Sequence, residues 1–211
     1  MPKIKILRIG IIGCGWFGNF HIDNLLKMEN VEIVALYNRG IERLEKTGKK
    51  VPKARMYQDI EKMLSKEKLD AAIISLTPDA HADIEERCCK KGIHMYVEKP
   101  VEISLAAALK KSEAVKFSNV ITAVGYQERY SPVLDLVKEI IAKEPVGLVY
   151  GSWIGGMPGP KWWRTKEESG GQIVEQTTHI VDMLRYLFGE VKSVYAAGTK
   201  DQEFEGVEHD V

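Results

Sequence analysis

Three glycines, Gly13, Gly15 and Gly18, stand directly after the apolar run 9–12 in the spacing G-x-G-x-x-G. That spacing suits a diphosphate cradle: the first glycine turns tightly, the second lets backbone approach phosphate, and the third lets the next helix pack on its strand. Trp16 and Phe17 open that helix, whose first turn aims unpaired N–H groups and partial positive charge at an anion. Taken alone, a glycine turn of this kind also serves pure structure; directly after a first strand it reads as a dinucleotide site. The end of the second strand bears on which dinucleotide. About 20 residues past the last glycine, NAD sites place an acid for the ribose 2′-hydroxyl. Here Asn38 and Arg39 occupy that place. An amide can still hydrogen-bond a ribose without repelling a phosphate, and a guanidinium grips one at two points, so the pair favours NADP over NAD. The plainer reading of Asn38-Arg39-Gly40 is a turn with a solvated arginine.

Glu98-Lys99-Pro100 follows the fifth apolar run. Ligands of parallel sheets lie at the carboxyl ends of strands, which predicts that Lys99 emerges beside the nicotinamide with Glu98 next to it. A lysine there, partly desolvated and close to a positive ring, would have a lowered pKa suited to proton exchange with a hydroxyl. Pro100 keeps the chain from entering a helix at once. Further on, Glu175, His179 and Asp182 share one helix face, and Ile180, Leu184 and Leu187 take a neighbouring face expected to be core. A histidine between carboxylates is also a metal-ligand pattern. Hydride chemistry needs no metal, and none is expected; Asp182 is read as orienting a neighbour. His21 reads as a packed or capping histidine. Trp162-Trp163-Arg164 offers aromatic faces to a sugar and a forked donor to hydroxyls, or else pins a loop. Tyr126, Gln127 and Arg129 fall where two domains should meet, and are further substrate-binding candidates.

The elements that must position these residues alternate. Strands are predicted at 7–12, 31–37, 54–57, 71–76, 94–97 and 120–124, with helices at 16–28, 41–49, 60–67, 80–91 and 104–117. Residues 17, 21, 25 and 28 give the first helix its apolar spacing, and Asp59 and Ser104 are candidate N-caps. Strands as apolar as 71–76 belong in a parallel sheet covered on both faces, so residues 1–125 form an α/β, doubly wound Rossmann domain. After residue 125 the pattern changes: a helix to about 143, a strand at 147–155, a loop, a helix at 174–188 and a strand at 191–198. This is the start of an α+β substrate domain over 126–211, whose few strands leave a sheet open. The reading is a piece of a longer protein, or a sheet completed by a partner.

Thirty basic against thirty acidic side chains leave no net charge, which removes the electrostatic case for nucleic acid or an anionic membrane. No apolar run reaches spanning length, and after Lys3, Lys5 and Arg8 the apolar stretch 9–12 is too short for a secretory leader, with glycines where a cleavage site should be. Cys14, Cys88 and Cys89 cannot pair evenly, as in a reduced, cytoplasmic protein.

Together the glycine loop, Thr77-Pro78-Asp79-Ala80-His81, Glu98-Lys99-Pro100, and Gly170-Gly171 leading to Glu175–Asp182 resemble the Gfo/Idh/MocA oxidoreductases. The resemblance runs over essentially all 211 residues. It implies an NAD(P)-dependent dehydrogenase or reductase of sugars, cyclitols or related polyols, oligomeric through a C-terminal open sheet. By position it implies Lys99 as proton carrier, His179 as its helper at the same oxygen, and Thr77, Pro78 and His81 near the cofactor. Many members carry aspartate four residues before that histidine; Glu175, implied as the catalytic carboxylate that orients the substrate, departs from this by one methylene. The same resemblance extends to NAD-dependent glycosidases, and a non-catalytic nucleotide-binding module is the other alternative.

Overall fold

Runs of β-branched residues separated by amphipathic segments fold into a parallel sheet only if helices cover both its faces. The computed structural model, which describes residues 5–156 and 158–197, has this arrangement. The chain divides between Gly125 and Tyr126 into two units. In the first, β1 (Leu7–Ile12), β2 (Val31–Tyr37), β3 (Arg55–Tyr57), β4 (Ala71–Ile74), β5 (His94–Val97) and β6 (Thr122–Val124) lie in the order β3-β2-β1-β4-β5-β6. Every pairing is parallel. This is the doubly wound Rossmann sheet, and its order reverses at β1 and β4.

Helices α1 (Trp16–Leu25), α2 (Ile41–Gly48), α3 (Ile60–Lys66), α4 (Ile84–Lys90) and α5 (Leu105–Lys116) connect the strands. Ile9 and Ile11 pack with Ile22 of α1 and Leu44 of α2. Ile12, Ala72 and Ile74 pack with Met63 and Leu64 of α3 and Ile84 and Cys88 of α4. Asp59 caps α3 as predicted, accepting from Lys62 N–H at 3.1 Å. Ser104 stands at the N-cap of α5 but makes no side-chain cap bond. The face of α1 also differs from the sequence spacing: Gly18 and Ile22 are buried, whereas Phe17 and Met28 are about half exposed. Close approach to β1 through Gly18 selects that face.

The second unit holds α6 (Val133–Ile141), α7 (Lys166–Ser169), α8 (Thr178–Phe188) and short 3-10 turns at Gln127–Tyr130 and Lys161–Arg164. The predicted helix 174–188 begins as a π-helical turn, Ile173–Thr177. The predicted strands at 147–155 and 191–198 are not formed within the described residues: 147–155 and 191–197 run without a ladder, and residue 198 lies outside them. A strand exists only through its partner's hydrogen bonds, and neither segment has one among the described residues. The expected core face of α8 is also corrected. Ile180, Leu184 and Leu187 are half-buried, and the polar face with Glu175, His179 and Asp182 is the buried one.

Candidate active site at the carboxyl edge of the sheet

Register brings the strand ends level. Ile12 pairs with Tyr37 and Ile74, Ile74 with Val97, and Val97 with Val124. One more rung carries the row past the strands: Gly13 N–H donates to Tyr37 O, Ser75 N–H to Ile12 O, Glu98 N–H to Ile74 O and Gly125 N–H to Val97 O, all at 2.8–2.9 Å. Gly13, Ser75, Glu98 and Gly125 therefore emerge side by side, with Asn38 joined through Tyr57 O at 3.1 Å. Two glycines are required by close approach. At Gly13, with φ +105°, a Cβ would sit 2.0 Å from Ser75 O; at Gly18 it would sit 2.0 Å from Gly13 O. Gly15 is open, with nothing within 4 Å of a built Cβ. As N-cap of α1 it supplies no side-chain acceptor, so first-turn N–H groups face outward beside exposed Trp16 and Phe17. This open turn at a helix N-terminus fits the diphosphate of a dinucleotide.

Asn38 and Asn19 brace the turn. Asn38 Oδ1 accepts from Cys14 N–H at 3.1 Å while its Nδ2 donates to Gly40 O at 2.8 Å. Asn19 Nδ2 donates to Gly15 O at 2.9 Å and Thr47 Oγ1 at 3.1 Å. Asn38, predicted as a ribose contact, thus already has a structural task, and Arg39 next to it is exposed. Cys14 is buried, and that burial pushes its thiol up to about 11, which leaves it unreactive.

Lys99 follows Glu98 past the edge of β5, half-buried, with a cis bond to buried Pro100. Glu98, predicted as a cofactor contact, is instead buried: its Oε1 accepts from His21 Nε2 at 2.6 Å. A Cβ at Gly125 would lie 2.6 Å from its Oε2. His21 also meets the Tyr96 ring at 5.1 Å, so α1, β5 and the end of β6 converge on one carboxylate. Sequence reading took His21 as packed or capping and missed its acid; the signal available was a histidine three residues past the glycine motif. After β4, Thr77 Oγ1 donates to Asp79 at 2.5 Å and buried Pro78 opens a 3-10 turn. His81, expected near the cofactor, is 1% exposed and its Nδ1 lies 2.5 Å from Glu85 Oε1. Lys111 of α5 binds Glu85 and donates to the carbonyl of Ala82 at 2.7 Å, where φ is +46°.

In the second unit the π-helical turn carries Glu175, whose buried Oε2 accepts from Trp163 Nε1 at 3.0 Å and from Gln176. Trp163 is therefore a buried anchor, whereas Trp162 is half-buried and Arg164 exposed. Arg129 forks onto Asp182 at 2.5 and 2.8 Å, and that bond holds its guanidinium above its ordinary pKa. Asp182 orients a neighbour, as read from sequence, and its partner is a residue predicted to meet substrate. Tyr126 is half-buried, Gln127 exposed. His179, 5% exposed, is in contact with the rings of Trp153 and Tyr126. Among the described residues, no three His, Cys, Asp or Glu side chains gather in a metal-binding group.

A doubly wound sheet with an open glycine turn at its reversal point defines a dinucleotide-binding domain. The chain belongs to the GFO_IDH_MocA family: the oxidoreductase family model with an NAD-binding Rossmann fold matches residues 7–126, and the family's C-terminal domain matches 137–211. It is 28% identical to myo-inositol 2-dehydrogenase of Thermotoga maritima over 195 residues, 92% of this chain and 58% of that protein. It is 29% identical to D-apiose dehydrogenase of Paraburkholderia graminis over 212 residues, 93% of this chain and 54% of that protein. The fold matches the WlbA dehydrogenase of Bordetella pertussis, solved with NADH and UDP-GlcNAcA, at TM-score 0.85 and 24% identity, over 100% of this chain and 62% of that one. The chain thus spans somewhat over half the length of these relatives.

Proposed function

We propose that this protein is an NAD(P)-dependent dehydrogenase or reductase acting on CH–OH groups of a sugar, cyclitol or related polyol. One observation carries the reading most: Lys99 leaves the sheet one residue past the row that holds Gly13 and Ser75, at the edge where parallel sheets bind ligands. The naming of relatives as inositol and apiose dehydrogenases supports the substrate class. A bound nicotinamide would supply hydride exchange with the carbinol carbon. Lys99 takes the hydroxyl proton during oxidation and returns it during reduction. His179 hydrogen-bonds the same oxygen, and Glu175, whose carboxylate also accepts from Trp163 Nε1, orients the substrate. The half-buried site of Lys99 limits competing water. NADP is the preferred cofactor because Asn38 carries no charge to repel a 2′-phosphate and exposed Arg39 offers a guanidinium to one. A cytoplasmic setting fits the three free, buried cysteines, and no helix among the described residues is long and apolar enough to cross a membrane.

Replacement of Lys99 by Met is expected to lower kcat by about 10²–10⁴-fold, the usual worth of a positioned proton carrier. NADPH affinity, read by fluorescence titration, should stay within about twofold, since the lysine adds little to ground-state binding. Equal loss of turnover and affinity would make Lys99 structural. In the same titration, Arg39→Ala should weaken NADPH by about tenfold while leaving NADH unchanged. A protein that binds NADH better than NADPH before mutation overturns the preference.

A further inference from the structure

A buried histidine has a broad, nearly two-fold choice of ring orientation unless its neighbours settle it. Two aromatic rings bear on the choice for His179. The Trp153 indole stacks on the imidazole with centroids 5.3 Å apart and planes 17° from parallel. The Tyr126 ring meets it edge-on, at 6.0 Å and 88°. Tyr126 is itself tied down, its hydroxyl 2.9 Å from Oγ1 of Thr178, the residue before the histidine. Trp153 reaches α8 because Gly151 has no side chain: a Cβ there would lie 2.7 Å from Ile180 Cγ2. Two residues of the 147–155 segment thus serve one contact, a bare glycine for approach and an indole for the face of the imidazole. The indole is 38% exposed, so it does not sit in the core as a simple filler.

We propose that Trp153 is a positioning residue for His179, holding the imidazole in the orientation from which it hydrogen-bonds the reacting oxygen. The use made of that orientation rests on the dehydrogenase reading; the stacking does not. Misplacement of a catalytic group by about 1 Å can cost a hundredfold in rate, so a clamp on that ring has a kinetic consequence. Trp153 belongs to the second unit and the glycine cradle to the first, and its loss should spare cofactor binding.

The test uses Trp153→Leu and Trp153→Phe in the full chain, with His179→Gln to assign signals. In proton–carbon NMR spectra, the His179 ring protons should appear upfield, shifted by the indole ring current. Trp153→Leu should return them to the ordinary range, and Trp153→Phe, with its smaller ring, should leave a reduced shift. With NADPH and a polyol that the protein turns over, Trp153→Leu should lower kcat about tenfold or more, with KM and NADPH affinity within about twofold and most activity restored in Trp153→Phe. Unmoved ring signals in Trp153→Leu overturn the clamp. Moved signals with unchanged kcat overturn the positioning role. If His179→Gln turns over normally, the dehydrogenase assignment of His179 fails instead, a result the ring spectra do not share. Should the leucine variant not fold, the reduced shift and partial rate of Trp153→Phe decide the same question.

Discussion

Single atoms decide much at the glycine turn and at Glu98. A methyl group on Gly18 would meet the Gly13 carbonyl oxygen at 2.0 Å, and that neighbour is backbone, which cannot swing aside. Gly18→Ala should therefore cost about 1–3 kcal/mol, as overpacking does. It should also loosen the turn enough to weaken NADPH binding. Denaturant midpoints and a titration check both effects, and an unperturbed midpoint would refute the close approach. His21 and Glu98 form a second such site. Removing the imidazole leaves a buried carboxylate without its donor, so His21→Leu should cost about 1–3 kcal/mol. Replacing Glu98 as well, in His21→Leu/Glu98→Leu, should cost clearly less than the two single losses combined, because the pair is one interaction. Strict additivity in that double-mutant cycle would show that the 2.6 Å contact contributes nothing.

Helices α4 and α5 share an apolar core and also meet through buried charge. Lys111, 3% exposed, faces Glu85, 2% exposed, with Glu86 and Glu102 within 4 Å. Burial alone would raise the Glu85 carboxyl, but His81 and Lys111 outweigh it and hold it below its ordinary value. Burial would lower the Lys111 amine, and Glu85 outweighs that too and raises it. The signs follow from linkage. The depressed carboxyl contributes stability above the ordinary glutamate range, lost as pH falls through its folded value. The raised amine contributes stability below the ordinary lysine range, lost as pH rises through its folded value. Lys111→Met strands the carboxylates, and should cost about 3–5 kcal/mol near neutral pH. That cost should shrink as pH falls and Glu85 takes up a proton; urea unfolding from acid to neutral pH measures it, and a pH-independent cost would rule it out.

The elements themselves were the most legible part of the sequence. Strands β1, β2 and β5 match their predicted bounds because long apolar runs leave a covered parallel sheet as the one way to bury them. The buried pairs His21–Glu98 and Glu85–Lys111 were not legible, since partners 77 and 26 residues apart leave no local periodicity. Nor was the inversion of α8: its polar stripe is buried because Arg129, Trp163 and Trp153 come from elsewhere in the chain to satisfy it. Segments 147–155 and 191–197 alternate like strands, yet pattern specifies a face and not a partner.

For the molecule as a whole, the two units differ in what a cofactor should do to them. Unit 1, residues 1–125, contains the glycine turn, the brace from Asn38 and Asn19, and a core on both sides of the sheet. A ligand that binds only the folded state stabilises it by RT ln(1 + [L]/Kd), about 2.7 kcal/mol at about 100 times Kd. For a cooperative unit of 125 residues that is a shift of roughly 10 °C in its midpoint. Hydrogen exchange can localise the gain. With NADPH present, amides of β1, β4 and β5 that exchange by unfolding of unit 1 should slow by about a hundredfold, the same energy expressed as a ratio. Amides of α8, in the other unit, should respond only so far as the two units unfold together. Protection confined to α8, or none in β1, would mean that the open turn at Gly15 is not where the dinucleotide binds. Equal slowing throughout the chain would instead show a single cooperative unit, and Gly13 and His179 would then belong to one folding event.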